Sequence, residues 1–200
     1  DGVLAYASDP SVPAAAYAAH ELGLPGNPPA SVDLLTHKDE YRRFLQNNHF
    51  RSPKFWFATT LAEAQKKCID LRPPIMIKPV DSSGSKGVSR MDHAEELPQA
   101  FERGQSFSRC KRVIGEEYFE RVGHQITGDG FIVDGELAFL CLSHEHYNLA
   151  LSSIVPVGES FPWRAPEREK TSQQTAKIRQ EIVRLIKLLG LRVGAFNVEI

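Results

Sequence analysis

Lys78 stands in Ile75-Met76-Ile77-Lys78-Pro79-Val80, an otherwise apolar run, and Asp81-Ser82-Ser83-Gly84-Ser85-Lys86-Gly87 follows at once. An ammonium flanked by isoleucine and proline costs stability unless it finds an anion. Gly84 and Gly87 permit backbone conformations that aim successive N–H groups at one anion. Ser82, Ser83 and Ser85 add hydroxyl donors. Together these residues have the chemistry of a loop wrapped around phosphate oxygens. Lys86 is a further loop cation, ranked below Lys78 because its placement depends on the loop. The pattern G-x-x-x-x-G-K-[ST] is absent and a strand follows, which excludes a P-loop NTPase. The competing reading is a surface hairpin with a snorkelling lysine.

Two further segments carry polar chemistry in apolar settings. Gly115-Glu116-Glu117-Tyr118-Phe119 breaks a strand into two acids and two aromatics. It reads either as an ordinary strand end or as a hinge whose backbone meets a base edge while an aromatic flanks the ring. Glu199 lies in Gly194-Ala195-Phe196-Asn197-Val198-Glu199-Ile200, a strand expected to be mostly buried. Buried acids need a partner, and either Mg²⁺ or a nearby lysine would serve. His144 and His146 share a strand face two residues apart, but no third metal ligand is evident in the sequence. Trp56 and Trp163 read as packing or loop anchors, and Cys141 as a small core residue.

The elements that must position these residues follow from periodicity and punctuation. Residues 3–7 read as a buried strand, and Ser11 and Pro13 open an Ala-rich helix that Gly23 stops. Residues 24–29 read as a linker. Thr36 starts a helix with Asp39 in the capping-box position, and Thr60 starts another with Glu63. Strands are expected at 54–58, 74–80 and 87–91, and a helix capped by Asp92 and Glu95 runs to about Arg103. In the second half, 112–119 reads as a strand, and 127–133, Asp134-Gly135 and 136–143 as a hairpin. Residues 156–170 read as a loop, 171–189 as an amphipathic helix ended by Gly190, and 193–200 as a strand.

Composition excludes several classes. The chain has 200 residues, 42% hydrophobic and 24% charged, ordinary for a globular protein. A net charge of −1 gives no general attraction to nucleic acid or to anionic membrane, so a cationic site must be local. Cys68, Cys110 and Cys141 show no C-x-x-C spacing, which argues against a disulfide framework or zinc site and for a reducing compartment. No apolar run approaches the roughly 20 residues of a membrane span. The chain opens at Asp1 without signal-peptide pattern and stops within a strand-like run, which reads as a fragment.

A helix-start lysine (Lys38), a strand lysine forty residues on (Lys78), a small-residue loop, a Glu-Glu-aromatic segment and a terminal Gly-x-x-x-Val-Glu strand occur in this order. In order and spacing they resemble the ATP-grasp superfamily, nearest to its carbamoyl-phosphate synthase and biotin carboxylase branch. The resemblance runs from about Thr36 to Ile200. It implies an α+β fold of two lobes with antiparallel sheets clasping a nucleotide, truncated at both ends. Residues 1–30 would be the tail of a preceding small α/β domain, 31–113 a linking helix and the small lobe, and 114–200 the incomplete larger lobe.

The resemblance also implies roles. Lys38 and Lys78 would contact the α- and β-phosphates, and Ser82, Ser83, Gly84, Ser85 and Gly87 would form a flap over the β/γ end. Glu116, Glu117, Tyr118 and Phe119 would read adenine, His124 would sit on the ribose side, and Glu199 would hold Mg²⁺, with Mn²⁺ as a substitute. Gly123-His124-Gln125 departs from members that carry a glutamate there. A second metal carboxylate, expected as Glu-x-Asn on the following strand, is not in this sequence. The implied activity is ATP-dependent ligation of a small-molecule carboxylate to an amine-type nucleophile through an acyl phosphate. The implied setting is cytoplasmic, without nucleic acid or membrane partners, and oligomerisation is left open. The rival readings are a non-catalytic nucleotide-binding regulatory module and a small-molecule kinase of the same fold.

Overall fold

The computed structural model describes residues 1–5, 8–148, 150 and 155–200. In chain order its elements are α1 (Val12–Glu21), α2 (Pro29–Thr36), α3 (Lys38–Asn47), β1 (Phe55–Ala58), α4 (Leu61–Cys68), β2 (Ile75–Pro79) and β3 (Ser89–Met91). There follow α5 (Leu97–Ser106), β4 (Val113–Glu117), β5 (Gln125–Val133), β6 (Glu136–Tyr147), β7 (Pro156–Ser160), α6 (Thr171–Leu189) and β8 (Gly194–Glu199). These form two units, one mainly Asp33–Glu120, the other mainly Val12–Val32 with Arg121–Ile200. Each holds one antiparallel four-stranded sheet, an α+β architecture.

In the Asp33–Glu120 unit the strand order is β1-β4-β2-β3. Side chains alternate across the sheet. Trp56, Ala58, Ile75, Ile77, Met91 and Val113 point to one face and bury themselves against Ala64 of α4 and Leu97, Ala100 and Phe101 of α5. The register pairs Met76 with Glu116 and Lys78 with Ile114, so Lys78 and Glu116 share the opposite face. Gly115 is required on the core face, because a Cβ there would lie 2.3 Å from the Trp56 ring.

In the other unit the order is β7-β6-β5-β8. Ile132, Leu137, Leu140, Phe196 and Val198 pack against Ile178, Ile182 and Ile186 of α6. A register shift between Phe131 and Ile132 lets Leu137 join this face although its parity differs from that of Leu140. Gly190 ends α6 in the left-handed conformation. Asn27 ties the chain before α2 to this unit, accepting from the Arg192 and Val193 N–H groups and donating to the Val193 carbonyl.

Several sequence expectations need correction. Residues 3–5 form no strand, and Val3 and Leu4 are exposed; positions 6 and 7 lie outside the described residues. Helix α2 occupies part of the expected linker and extends to Thr36, because Pro29 suits a first helical turn. Thr36 is not a cap. Its hydroxyl donates to the Asp33 carbonyl, α3 starts at Lys38 after His37, and Asp39 is buried against Arg112 (2.9 Å) and Arg43 (3.5 Å). Before α5 it is Glu96, not Glu95, whose carboxylate accepts from the Asp92 and His93 N–H groups. Strand β4 ends at Glu117, leaving Tyr118 and Phe119 beyond it. The expected loop at 156–170 contains β7, an exposed edge strand paired with the end of β6. The 171–189 helix has the expected bounds.

Gly130→Ala would place a methyl group 2.1 Å from the Phe196 ring. Overpacking of this kind costs about 1–3 kcal/mol. Chemical denaturation should show that loss, and Phe196→Leu in the same chain should recover part of it.

Candidate functional site

The non-core face of the first sheet gathers its charge around one carboxylate. Glu116 is only 2% exposed. Its Oε2 accepts from Lys78 Nζ at 2.7 Å and its Oε1 from Arg42 Nε at 2.7 Å, with Arg42 Nη2 3.5 Å from Oε2. Burial pushes the Glu116 carboxyl up, but the charges and hydrogen bonds of Lys78 and Arg42 outweigh it and leave the group below the ordinary glutamate range. The anion that Lys78 demands is therefore present in the fold itself.

Helix α3 supplies the other cations of this face. Lys38 N–H donates to the Val80 carbonyl at 2.9 Å, docking the helix start on the end of β2. Lys38 Nζ donates to the Ser82 carbonyl, and burial first, then the Lys78 charge, holds its pKa below the usual lysine value. Lys38 and Arg42 stand one turn apart on the same side of α3, so both meet the end of β2.

The loop after β2 has the conformations its composition requires. Gly84, Ser85 and Gly87 all have positive φ, 63°, 56° and 73°. Gly87 has no space for a side chain, since a Cβ would lie 2.7 Å from that of Phe107. Asp81 anchors the loop base, its Oδ2 accepting from the Arg109 and Cys110 N–H groups at 3.0 Å each. Ser82, Ser83 and Ser85 are half-buried, whereas Gly84 and Lys86 are exposed. The loop is thus fixed at its root and open at its tip.

At the end of β4, the Glu117 N–H donates to the Lys54 carbonyl and the Tyr118 N–H to the Pro74 carbonyl. Glu117 Oε2 accepts from the Lys54 N–H, Arg90 lies over the Tyr118 ring at 4.5 Å, and the Phe119 side chain is 60% exposed. The sheet keeps the first two N–H groups of this segment and leaves an aromatic side chain bare.

The remaining sequence candidates lie in the other unit. Glu199 is exposed rather than buried, because β8 alternates and its half-buried face is the one carrying Phe196 and Val198. Thr127 pairs with Glu199 and Asp129 with Asn197, whose Nδ2 donates to Asp129 Oδ1 at 3.2 Å. These hard oxygen donors fit Mg²⁺ or Mn²⁺ rather than a soft metal. On the same sheet face Tyr147 donates to the buried Glu145 at 2.5 Å. Its pKa is raised by burial first and then by Glu145, with a contribution from Glu199.

His124 joins His144 and His146, at ring-centroid distances of 5.7 and 4.4 Å, providing the third imidazole that sequence spacing did not reveal. A metal is nevertheless disfavoured at His144. Its Nε2 accepts from the Arg164 backbone N–H at 3.1 Å, whereas a ligating imidazole needs its other nitrogen protonated to donate. Among the described residues, the one trio with ligand atoms within 4.8 Å of one another is Asp33, His37 and Glu40. Its groups are already engaged, His37 with Asp33 and Glu40 with Arg112.

Sequence reasoning thus missed Arg42 and the counter-ion role of Glu116. Arg42 could have been found from its position four residues after Lys38, where a helix presents both to one neighbour.

No family model matches the chain. It is 23% identical over 164 residues to the carbamoyl phosphate synthase large chain, N-terminal section, of Methanopyrus kandleri, covering 78% of this chain and 27% of the relative. It is 26% identical over 190 residues to the ATP-grasp enzyme fsqD of Aspergillus fumigatus, covering 90% and 31%. The chain thus spans about a third or less of these relatives' length. Among solved structures, the L-amino acid ligase of Bacillus licheniformis superposes with a TM-score of 0.70 at 23% identity, over 96% of this chain and 43% of that one. The biotin carboxylase domain of Hydrogenobacter thermophilus 2-oxoglutarate carboxylase, solved with MgADP and bicarbonate, gives 0.75 at 16% identity, over 94% and 41%. Among the described residues no helix is long and apolar enough to cross a membrane.

His144 has a pKa below the ordinary histidine value, through burial first and then the neighbouring His124 and His146. The unfolded chain therefore takes up this proton first. The associated stability is complete above the unfolded value of about 6.5 and is lost as pH falls through the lower folded value. The melting temperature should fall as the pH drops below the unfolded value of about 6.5, and His144→Gln should flatten that dependence. An unchanged slope in the variant would remove His144 as its source.

Proposed function

We propose that this chain, whose fold is that of the ATP-grasp enzymes, is the ATP- and Mg²⁺-binding part of an ATP-dependent ligase joining a small-molecule carboxylate to an amine-type nucleophile. The observation that carries this reading is the Lys78 ammonium on the buried Glu116 carboxylate, with Lys38 and Arg42 beside it at the foot of a glycine–serine loop. Such a local cation excess in a chain of net charge −1 suits a polyphosphate.

In this reading Lys38 and Lys78 hold the α- and β-phosphates. Ser82, Ser83, Gly84, Ser85 and Gly87 close over the β/γ end, with the Lys86 ammonium on the outer side. The Glu116 to Phe119 segment takes adenine, the exposed Phe119 ring against the base, and His124 takes the ribose side. Glu199 is the carboxylate assigned to the divalent cation, Mg²⁺ or Mn²⁺, which when bound neutralises developing phosphate charge. The substrate carboxylate oxygen attacks the γ-phosphorus and ADP leaves. The amine then attacks the acyl carbon, inorganic phosphate leaves, and the amine nitrogen loses a proton. The chain's part is positioning and charge neutralisation, and exclusion of water from the acyl phosphate by the loop. The relation to carbamoyl phosphate synthase and to amino acid ligases supports carboxylates of this kind. Free, separated cysteines accord with a reducing, cytoplasmic setting.

Lys78→Ala in the full-length protein should weaken binding of a non-hydrolysable Mg²⁺–ATP analogue by about two orders of magnitude in calorimetry. Circular dichroism should show the fold retained. Unaltered affinity would sink the assignment. Tight nucleotide binding by the wild type without ADP release in the presence of candidate carboxylates and amines would identify the regulatory module instead.

A further inference from the structure

The carboxylate that holds Lys78 competes with any phosphate that Lys78 is to bind. Both oxygens of Glu116 are engaged, Oε2 by Lys78 Nζ and Oε1 by Arg42 Nε. When a phosphate oxygen draws the ammonium away, a buried carboxylate loses one of its two cations, which is strongly unfavourable unless the other compensates. Arg42 is built to do so. Its Nη2 already lies 3.5 Å from Oε2, the oxygen that Lys78 would vacate, so a small closure of the planar guanidinium completes a two-pronged pair.

Resting on the reading of Lys78 as a phosphate ligand, we propose that Arg42 is a positioning residue of the nucleotide site. It retains the Glu116 charge so that Lys78 can exchange its internal carboxylate for a phosphate. Arg42 does not itself touch nucleotide in this scheme. It stands on α3 one turn after Lys38, whose amide holds Val80 and whose ammonium holds the Ser82 carbonyl. One helix therefore fixes both the loop root and the counter-ion.

A double-mutant cycle with Mg²⁺ and a non-hydrolysable ATP analogue on the full-length protein tests this. Among the described residues, Arg42→Ala leaves Lys78 as the one cation hydrogen-bonded to Glu116 and should weaken binding by about tenfold or more. Adding Glu116→Gln removes the anion that traps Lys78, and the double variant should bind within about threefold of Glu116→Gln alone. Arg42→Lys keeps a charge but not the fork and should remain weak. It carries the test if Arg42→Ala does not fold, with thermal melting as the check.

A purely structural arginine would lower the melting temperature and leave the binding defect of Arg42→Ala in place in the Glu116→Gln background. Either that result, or wild-type affinity in both Arg42 variants, overturns the proposal. Loss of binding in Lys78→Ala alongside wild-type affinity in the Arg42 variants would leave the ligase reading standing. Failure of the wild type to bind the analogue would remove both.

Discussion

A single buried carboxylate shared by two cations from different elements constrains most of the Asp33–Glu120 unit. Glu116 comes from β4, Lys78 from β2 and Arg42 from α3, and all three must meet away from the face that packs on α4 and α5. A slip of one residue between β2 and β4 would turn Lys78 or Glu116 into the apolar core and send an isoleucine outward. Desolvation of the carboxylate opposes the arrangement. Two direct charge-assisted contacts offset it, and losing either leaves an incompletely paired buried charge. The hydrophobic face thus sets the register, and the ionic face turns that register into a local cation excess.

The loop after β2 is held separately. Asp81 fixes its root through two backbone N–H groups, Gly87 lets it pass close to Phe107, and Lys38 grips the Ser82 carbonyl. None of these contacts uses the exposed tip at Gly84 and Lys86, so the tip can respond to a ligand without disturbing the sheet. In the other unit a comparable division holds. One face of the sheet is filled by α6, and the other carries Glu145, Tyr147 and the exposed Glu199.

What the sequence revealed, it revealed through local physics. The β2 strand, the loop and the α6 helix with Gly190 as its stop are visible because periodicity and glycine placement are local properties. The start of α3 was misread because Thr36 followed by Asp39 satisfies the capping pattern. In the fold Asp39 does better as the buried partner of Arg112, a residue 73 positions away. Glu116 was read by its neighbours in sequence as part of a hinge, whereas its side chain answers Lys78 across two strands. The β7 strand stayed hidden because all its residues are exposed and carry no alternating pattern. The His124 contact with His144 and His146 required the β5–β6 register, which spacing alone does not supply.

The central claim is that the Lys78 ammonium leaves the Glu116 carboxylate for a polyphosphate. Nitrogen-15 NMR of the lysine side-chain ammonium groups, assigned with Lys78→Arg, reads this directly. With Mg²⁺ and the ATP analogue the Lys78 signal should move as three-bond couplings to the Glu116 carboxylate carbon are lost and couplings to phosphorus appear. A Lys78 resonance that keeps its coupling to Glu116 while the nucleotide is demonstrably bound would contradict the account.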